Sequence, residues 1–409
     1  MTYSNPANLA IIACPGGENF ADKLIKHLVK GYARNFERSV ADMSRRFTMS
    51  SDLVRDNIHF INEITDSTAR ITDQSGKYCQ SSLKVPVHFF YFANGEIKAE
   101  IQDSIRGQDV YIVQDIENHY PVNFNGANTQ YILSVNDHLM TVFVTVDAAK
   151  QAGAKQITVV LPIYPYSRQH KKKGREGLTA SRVGKILEFL GVDRIITLDL
   201  HSREIANSFN TLLLENLHAS YQIIRQLIKL PGILENLVVV SPDTGAVDRN
   251  KFYATTLKKP LALLYKERDY SQVSKDAVEN NIADMKLLGN VERKTVFMAD
   301  DMLGTGGTLL KAMASLKEKG AGKVIAAISL PLFSGDAVTY FDEAYRKGLF
   351  YRIIGTNAIY HEEVIKRDWY INVNITGLFA QIIARLHQNL SLGSLLDNRN
   401  NIERLLIEN

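Results

Sequence analysis

Cysteine is nearly absent: the 409 residues contain two, Cys14 and Cys79. Two thiols cannot build a disulfide scaffold or a Cys-rich zinc module, and their scarcity fits a reducing, cytoplasmic setting. A large excess of one charge is also lacking. The formal net charge is +4, too mild to point to nucleic acid. No apolar run approaches the roughly 18 residues that cross a bilayer. The best candidates, such as residues 324–333, are far shorter and fit buried strands. The opening stretch MTYSNPANLAII has no basic region followed by a long apolar run, so no secretory leader is expected. There is no short-period repeat and no extended low-complexity tract. What is present is 45% hydrophobic and 22% charged residues. That composition buries a sizeable core and excludes disorder throughout. At about 150 residues per domain, two or three domains are expected.

Short β-branched runs alternate with helical patterns. Strands are expected at residues 8–13, 110–113, 156–161, 194–198, 237–240, 295–299 and 323–330. Several are apolar without alternation, as strands covered on both faces must be. Between them lie amphipathic segments. One carries Phe20, Leu24, Ile25 and Leu28, another Val183, Ile186, Leu187 and Leu190, a third Leu309, Leu310, Met313 and Leu316. Steps of three and four give each a buried helical face. Strand–helix–strand repetition predicts an α/β protein with mostly parallel sheets flanked by helices. Residues 35–84 differ: they are polar and weakly periodic, and read as an insertion with a helix around 51–63 and a loose end near 72–82. A second polar stretch, 269–281, is a candidate mobile loop, and the charged tail 397–409 carries a helical hint at Ile402, Leu405 and Leu406.

The most informative segment is TVFMADDMLGTGGT, residues 295–308. An apolar strand runs into Asp300 and Asp301, then a turn with Gly304, Thr305, Gly306 and Gly307, then a helix opening at Thr308. Glycines let backbone approach an anion, and N–H groups at a helix start favour negative charge. The two carboxylates are placed to accept hydrogen bonds from sugar hydroxyls. Phosphate on one side and diol acceptors on the other describe a ribose 5-phosphate site. It is not a Walker loop, because no G-x-x-x-x-G-K-[ST] occurs. A helix N-terminus with a tight turn is the bland alternative.

This stretch resembles the phosphoribosyl-pyrophosphate loop of type I phosphoribosyltransferase folds. Other segments narrow the resemblance to the ribose-phosphate pyrophosphokinases, or phosphoribosyl pyrophosphate synthetases. YPYSRQHKKK, residues 164–173, is similar to the family's Tyr-Ala-Arg-Gln-Asp-Arg-Lys stretch, and Arg168 and Gln169 match the pair that holds ATP. In TLDLH, His201 matches the family histidine that contacts the nucleotide phosphates and their metal. In VVVSPDTGAVD, Asp243 matches the metal-associated aspartate. In LLYKERD, Lys266 and Arg268 match the cations that act on the transferring group, and alternation places both on one side of an extended segment. FANGE resembles the family's Phe-Ser-Asp-Gly-Glu, with Phe92 to stack on adenine and Asn94 and Glu96 to fix the nucleotide. The likeness runs over about residues 9–32 and 92–385.

The resemblance implies two similar phosphoribosyltransferase-type domains. The first spans 1–217 with the insertion at 35–84, and 376–409 packs back on it. The second, 218–375, carries the ribose 5-phosphate loop. It also implies Mg2+ at His201 and Asp243, ATP and ribose 5-phosphate as substrates, and a homo-oligomer whose nucleotide site is shared between subunits. No nucleic acid or membrane partner is expected. The sequence departs from the pattern at Asn94 and His170, each in place of a usual Asp, at Gly304, and over residues 204–209. Two other readings share part of this set. A phosphoribosyltransferase would use the Asp300–Thr308 loop without needing Arg168, Gln169, His201, Lys266 or Arg268. A non-catalytic regulatory paralogue would bind nucleotide without turning it over.

Overall fold

The computed structural model describes residues 8–65, 82–127, 129–172, 174–268 and 282–408. The chain forms two compact units, Met1–Leu217 with Thr376–Leu396, and His218–Ile375 with Asp397–Asn409. The first contains β1 (Leu9–Ala13), α1 (Glu18–Phe47), α2 (Ser51–Thr65), β2 (Val87–Tyr91), β3 (Ile97–Ile101), β4 (Asp109–Val113), α3 (Val135–Gln151), β5 (Gln156–Val160), α4 (Thr179–Phe189), β6 (Arg194–Leu198) and β7 (Leu213–Leu217). Its sheet has the order β1-β4-β5-β6-β7, with every pair parallel. The central strands are buried at nearly every position, because helices cover both faces. Val110, Ile112, Ile157, Val159 and Ile195 interleave there with Val142 and Val146 of α3 and Leu187 of α4. A capping box starts α3: Ser134 Oγ accepts the Asp137 N–H, and the Asp137 carboxylate accepts that of Ser134. Such a cap contributes about 1 kcal/mol.

Strands β2 and β3 form an antiparallel hairpin apart from the main sheet. It adds Phe89 and Ile97 to the core beside α3. Helix α1 is longer than its sequence pattern suggests. Phe20, Leu24, Leu28, Tyr32, Phe36 and Val40 recur at steps of four and are all buried, so the helix runs into the polar segment that begins at residue 35. It stops at Thr48, which takes a left-handed φ of 55°. The helix expected around 51–63 is α2, which packs back on α1 through buried Val54 and an Arg55–Glu37 ion pair of 2.7 Å. The loose end expected near 72–82 lies almost wholly outside the described residues, as does the candidate loop 269–281.

The second unit contains α5 (Ser220–Leu227), β8 (Leu237–Ser241), α6 (Val247–Leu257), β9 (Leu261–Arg268), β10 (Ile282–Leu288), β11 (Thr295–Leu303), α7 (Gly307–Glu318), β12 (Val324–Pro331), α8 (Ala337–Arg346), β13 (Arg352–Thr356) and β14 (Tyr370–Val373). The sheet order is β10-β9-β8-β11-β12-β13-β14, parallel except for the β9–β10 hairpin. The strand expected at 295–299 continues to Leu303, because β12 keeps pairing with it as far as Leu303↔Pro331. The connection β8–α6–β9 leaves β8 toward one edge, and β11–α7–β12 leaves β11 toward the other. A crevice therefore opens at the carboxyl ends of β8 and β11, the place where ligands enter open α/β sheets.

After β14 the chain forms α9 (Thr376–His387), α10 (Gly393–Leu396) and α11 (Arg399–Ile407). Helix α9 belongs to the first unit, where Phe379 meets Phe20 of α1 edge to face and His387 Nδ1 lies 3.0 Å from Asp109 Oδ2 at the start of β4. The last residues correct the sequence expectation that all of 376–409 packs on the first domain. Asp397–Asn409 belong to the second unit. Helix α11 lies against α5 and α6, and Ile402 is completely buried.

Candidate active site

The crevice of the second unit is built by two strand ends. Beyond β8, Ser241 Oγ donates to the Asp243 carbonyl at 2.7 Å, and the Ala246 N–H donates to Asp243 Oδ1 at 2.9 Å. The Asp243 carboxylate is thus fixed at the head of α6. At the end of β11, the Asp301 N–H donates to Asp300 Oδ1 and the Met302 N–H to Asp301 Oδ1, both at 2.9 Å. Burial pushes the Asp300 carboxyl up to about 7, and the Asp301 charge adds to this, with a smaller contribution from Asp243. Three carboxylates that repel one another make a place for a cation or for hydroxyl donors.

The turn after these carboxylates is held from both sides. Phe333 and Ser334, beyond β12, donate to the carbonyls of Leu303 and Gly304 at 3.1 Å. Gly306 caps α7 with φ +78°, and a Cβ there would lie 2.3 Å from Phe341 Cε2. Only glycine satisfies both conditions. Thr305, Gly307 and Thr308 are exposed. The first N–H groups of α7 have no intrahelical acceptor, so this end of the helix offers donors to an anion. Asp300, Asp301, Gly304, Thr305, Gly306, Gly307 and Thr308 are therefore one continuous strand-turn-helix feature.

Lys266 and Arg268 lie on β9 past its last pairing with β8, Ser241↔Leu263. There β9 pairs only with β10, with Lys266 opposite Met285 and Arg268 opposite Ile282. The register shifts between Ile282 and Asp284, so the hairpin is irregular beside Arg268.

In the first unit the loops after β4, β5 and β6 are neighbours because their strands are. Arg168 and Gln169 are exposed in the loop after β5. That loop turns at Tyr166, which has φ 55°; its carbonyl accepts the Gln169 N–H at 2.8 Å and its hydroxyl donates to Asn136 Oδ1. Glu117, after β4, has its carboxyl raised by burial and partly lowered again by the Arg168 charge. After β6, Asp199 takes a left-handed φ of 42°, and Leu200 is anchored by its N–H to Asn216 Oδ1 at 2.8 Å. Exposed His201 follows, its ring 5.0 Å from that of His170 and tilted by 69°. The divergent residues after His201 form a 3-10 turn, Arg203–Ser208. Phe209 beyond it fills the space above Gly184, where any Cβ would lie 2.1 Å from the Phe209 ring.

The hairpin tip carries Phe92, Asn94 and Glu96. The Phe92 N–H donates to the Glu96 carbonyl at 2.9 Å, and the Gly95 N–H to the Phe92 carbonyl. Asn94 Oδ1 accepts the Glu96 N–H at 3.2 Å, so the residue standing where the family usually has Asp makes the local turn with its carbonyl oxygen. Phe92 is 46% exposed. Among the residues the sequence singled out, Asp243 and the Asp300–Thr308 segment share one crevice. Arg168, Gln169 and His201 share neighbouring loops of the other unit. Glu117, His170 and Asn250 were not assigned a place. The signal for Asn250 is a polar side chain on the same helical stripe as buried Tyr253, Ala254 and Leu257.

Comparison with known proteins places these features in context. Residues 11–191 match the N-terminal domain of ribose phosphate pyrophosphokinase, and residues 211–362 match the phosphoribosyl transferase domain. Ribose-phosphate pyrophosphokinase A of Dictyostelium discoideum is 36% identical over 314 residues, covering 76% of this chain and 90% of that protein. A ribose-phosphate pyrophosphokinase of Nostoc sp. is 34% identical over 332 residues, covering 80% and 91%. The crystal structure of phosphoribosylpyrophosphate synthetase from Mycobacterium smegmatis superposes with a TM-score of 0.67 at 26% identity, covering 93% of this chain and 99% of that one.

Proposed function

The chain belongs to the ribose-phosphate pyrophosphokinase family, and from that premise we propose that it transfers the pyrophosphoryl group of ATP to the 1-hydroxyl of ribose 5-phosphate. The products are phosphoribosyl pyrophosphate and AMP. The observation that carries the proposal is the crevice between β8 and β11, where a phosphate-cradling turn adjoins three carboxylates. A sugar bearing a terminal phosphate and vicinal hydroxyls suits that arrangement.

The turn Thr305–Gly306–Gly307–Thr308 holds the 5-phosphate with backbone N–H groups. Asp300 and Asp301 accept hydrogen bonds from the ribose hydroxyls. Arg168, Gln169 and His201 hold the triphosphate, and Phe92, Asn94 and Glu96 hold the adenine end. The sugar 1-hydroxyl oxygen attacks the β-phosphorus in line. The bond from that phosphorus to the α–β bridging oxygen breaks, AMP leaves, and the hydroxyl proton passes to solvent. Lys266 and Arg268 stabilise the negative charge spread over the transferred group. Chemistry of this kind depends on positioning and electrostatics more than on covalent participation.

His201 and Asp243 would hold Mg2+. Within the second unit, Asp243 beside the Asp300–Asp301 pair suits a hard cation, since burial and neighbouring carboxylates raise the Asp300 carboxyl and a positive ion would relieve that repulsion. Among the described residues no group of three or more His, Cys, Asp or Glu side chains makes a cage. Magnesium needs none, because it binds through one or two carboxylates together with substrate phosphates and water. When bound, it would supply positive charge against the nucleotide phosphates.

We further read the molecule as a cytoplasmic homo-oligomer in which Phe92 and Glu96 serve a neighbouring subunit. The exposure of Phe92 at a hairpin tip supports this. Among the described residues no helix is long and apolar enough to cross a membrane. The test is an assay of the full chain with Mg2+ and ATP, with and without ribose 5-phosphate. AMP should form only when the sugar phosphate is present. ATP binding without AMP formation would contradict the proposal and favour the regulatory paralogue.

A further inference from the structure

Strands β8 and β11 pair only from Leu237↔Thr295 to Val239↔Phe297, although β8 runs to Ser241 and β11 to Leu303. Beyond Phe297 they part, and the parting opens the crevice. In a parallel sheet, alternate residues direct their N–H and C=O to the same neighbour. Thr295 donates to Asn236, beside β8, so Phe297 and then Ala299 face the same side. At Ala299 the ladder partner is missing. Ala299 is 1% exposed, out of reach of bulk solvent. Leaving a buried peptide group unmatched is costly.

One side chain fills the gap. Asn250 of α6 is completely buried. Its Oδ1 accepts the Ala299 N–H at 2.8 Å, and its Nδ2 donates to the Ala299 carbonyl at 2.8 Å. The second Nδ2 hydrogen goes to the Ala246 carbonyl at 2.9 Å. The amide thus stands in for a peptide of the missing strand. The same Ala246 donates its N–H to Asp243 Oδ1, and Ala299 immediately precedes Asp300. A continuous path of short hydrogen bonds and peptide units runs from the Asp243 carboxylate through Ala246 and Asn250 to Ala299 and the Asp300–Asp301 pair.

We propose that Asn250 is a positioning residue: it sets the spacing between the Asp243 turn and the Asp300–Asp301 strand end, and through that spacing the affinity for the sugar phosphate. An apolar side chain of similar volume would leave the Ala299 peptide unpaired and free to move with its neighbouring carboxylates. The inference rests on the sugar-phosphate site proposed above. Asn250 touches neither substrate and acts only through Ala246 and Ala299.

The test uses Asn250→Leu and Asn250→Asp in the full chain. Both are close to isosteric; leucine donates nothing and a protonated aspartic acid donates one hydrogen, so neither can serve the Ala299 and Ala246 carbonyls together. Titration calorimetry with ribose 5-phosphate and separately with ATP in the absence of Mg2+ reads the two affinities, and circular dichroism checks folding. Ribose 5-phosphate binding should weaken about 10- to 100-fold, as for other residues that orient a contacting group. Metal-free ATP binding, assigned to Arg168, Gln169 and His201 of the other unit, should stay near wild type. Several outcomes overturn the inference alone, given a wild type that binds ribose 5-phosphate: folded variants that bind it as wild type does, variants that lose both ligands in parallel, or failure of both variants to fold. Wild-type protein that does not bind ribose 5-phosphate overturns the functional proposal and this inference together.

Discussion

Gly306 and Lys266 show two ways in which a single residue matters. At Gly306 the constraint is steric. The backbone is left-handed, and Phe341 is wedged among Phe333, Phe350 and Trp369, so it has nowhere to move. Gly306→Ala should cost about 2–4 kcal/mol, from the left-handed penalty and the overpacking together. Calorimetric melting reads this directly. Gly307→Ala, with open space at its Cβ, should leave the melting temperature nearly unchanged. At Lys266 the proposed role is electrostatic. Lys266→Ala should lower turnover about a hundredfold, or roughly 3 kcal/mol of barrier, with ATP affinity nearly intact. Steady-state kinetics with direct ATP binding checks this, and near-normal turnover would refute the role. Gly306 was legible in the sequence because a tight turn into a helix calls for a left-handed residue locally, whereas Lys266 was singled out only by the family resemblance. The role of Asn250 was not legible beyond its odd place on an apolar stripe, because its partner, the Ala299 peptide, stands where two strands diverge 49 residues further along.

Elements differ in the same way. Strands β1, β4, β5, β6, β8, β11 and β12 coincide with apolar runs, because burial on both faces writes a continuous signal. The β2–β3 hairpin and β14 are half-exposed and leave weaker patterns. The join between α4 and β7 was equally hidden. Glu188 Oε1 accepts the N–H groups of Asn210, Thr211 and Leu212, a fan of donors that no local motif announces. These backbone hydrogen bonds, Thr211 first and then Leu212, hold the Glu188 carboxyl down to about 2 from an ordinary 4.5. The native state therefore binds fewer protons here than the unfolded chain between those values. The contribution is fully present above about pH 4.5 and is lost as pH falls toward 2. Glu188→Gln removes that titration. Melting curves from pH 6 downward should show wild type losing stability faster than Glu188→Gln, so the gap between the two narrows. Parallel curves would contradict it.

For the whole molecule, the residues proposed to hold ATP belong to one unit and those proposed to hold the sugar phosphate to the other. The proposal that Phe92 serves a neighbouring subunit has a clear consequence. Phe92→Ala and Lys266→Ala should each be impaired alone. Mixed and allowed to exchange subunits, they should recover up to about a quarter of wild-type activity, because random pairing in a dimer gives half heterodimers with one intact site in two. Mixtures no more active than the sum of the parts would place both residues in the same subunit's site.

The central claim concerns which phosphorus is attacked, and ATP labelled at the β-phosphorus tests it most directly. With Mg2+ and ribose 5-phosphate, the label should move into the sugar product as part of a pyrophosphate while unlabelled AMP accumulates. Label retained in ADP would mean attack at the γ-phosphorus and would contradict the account.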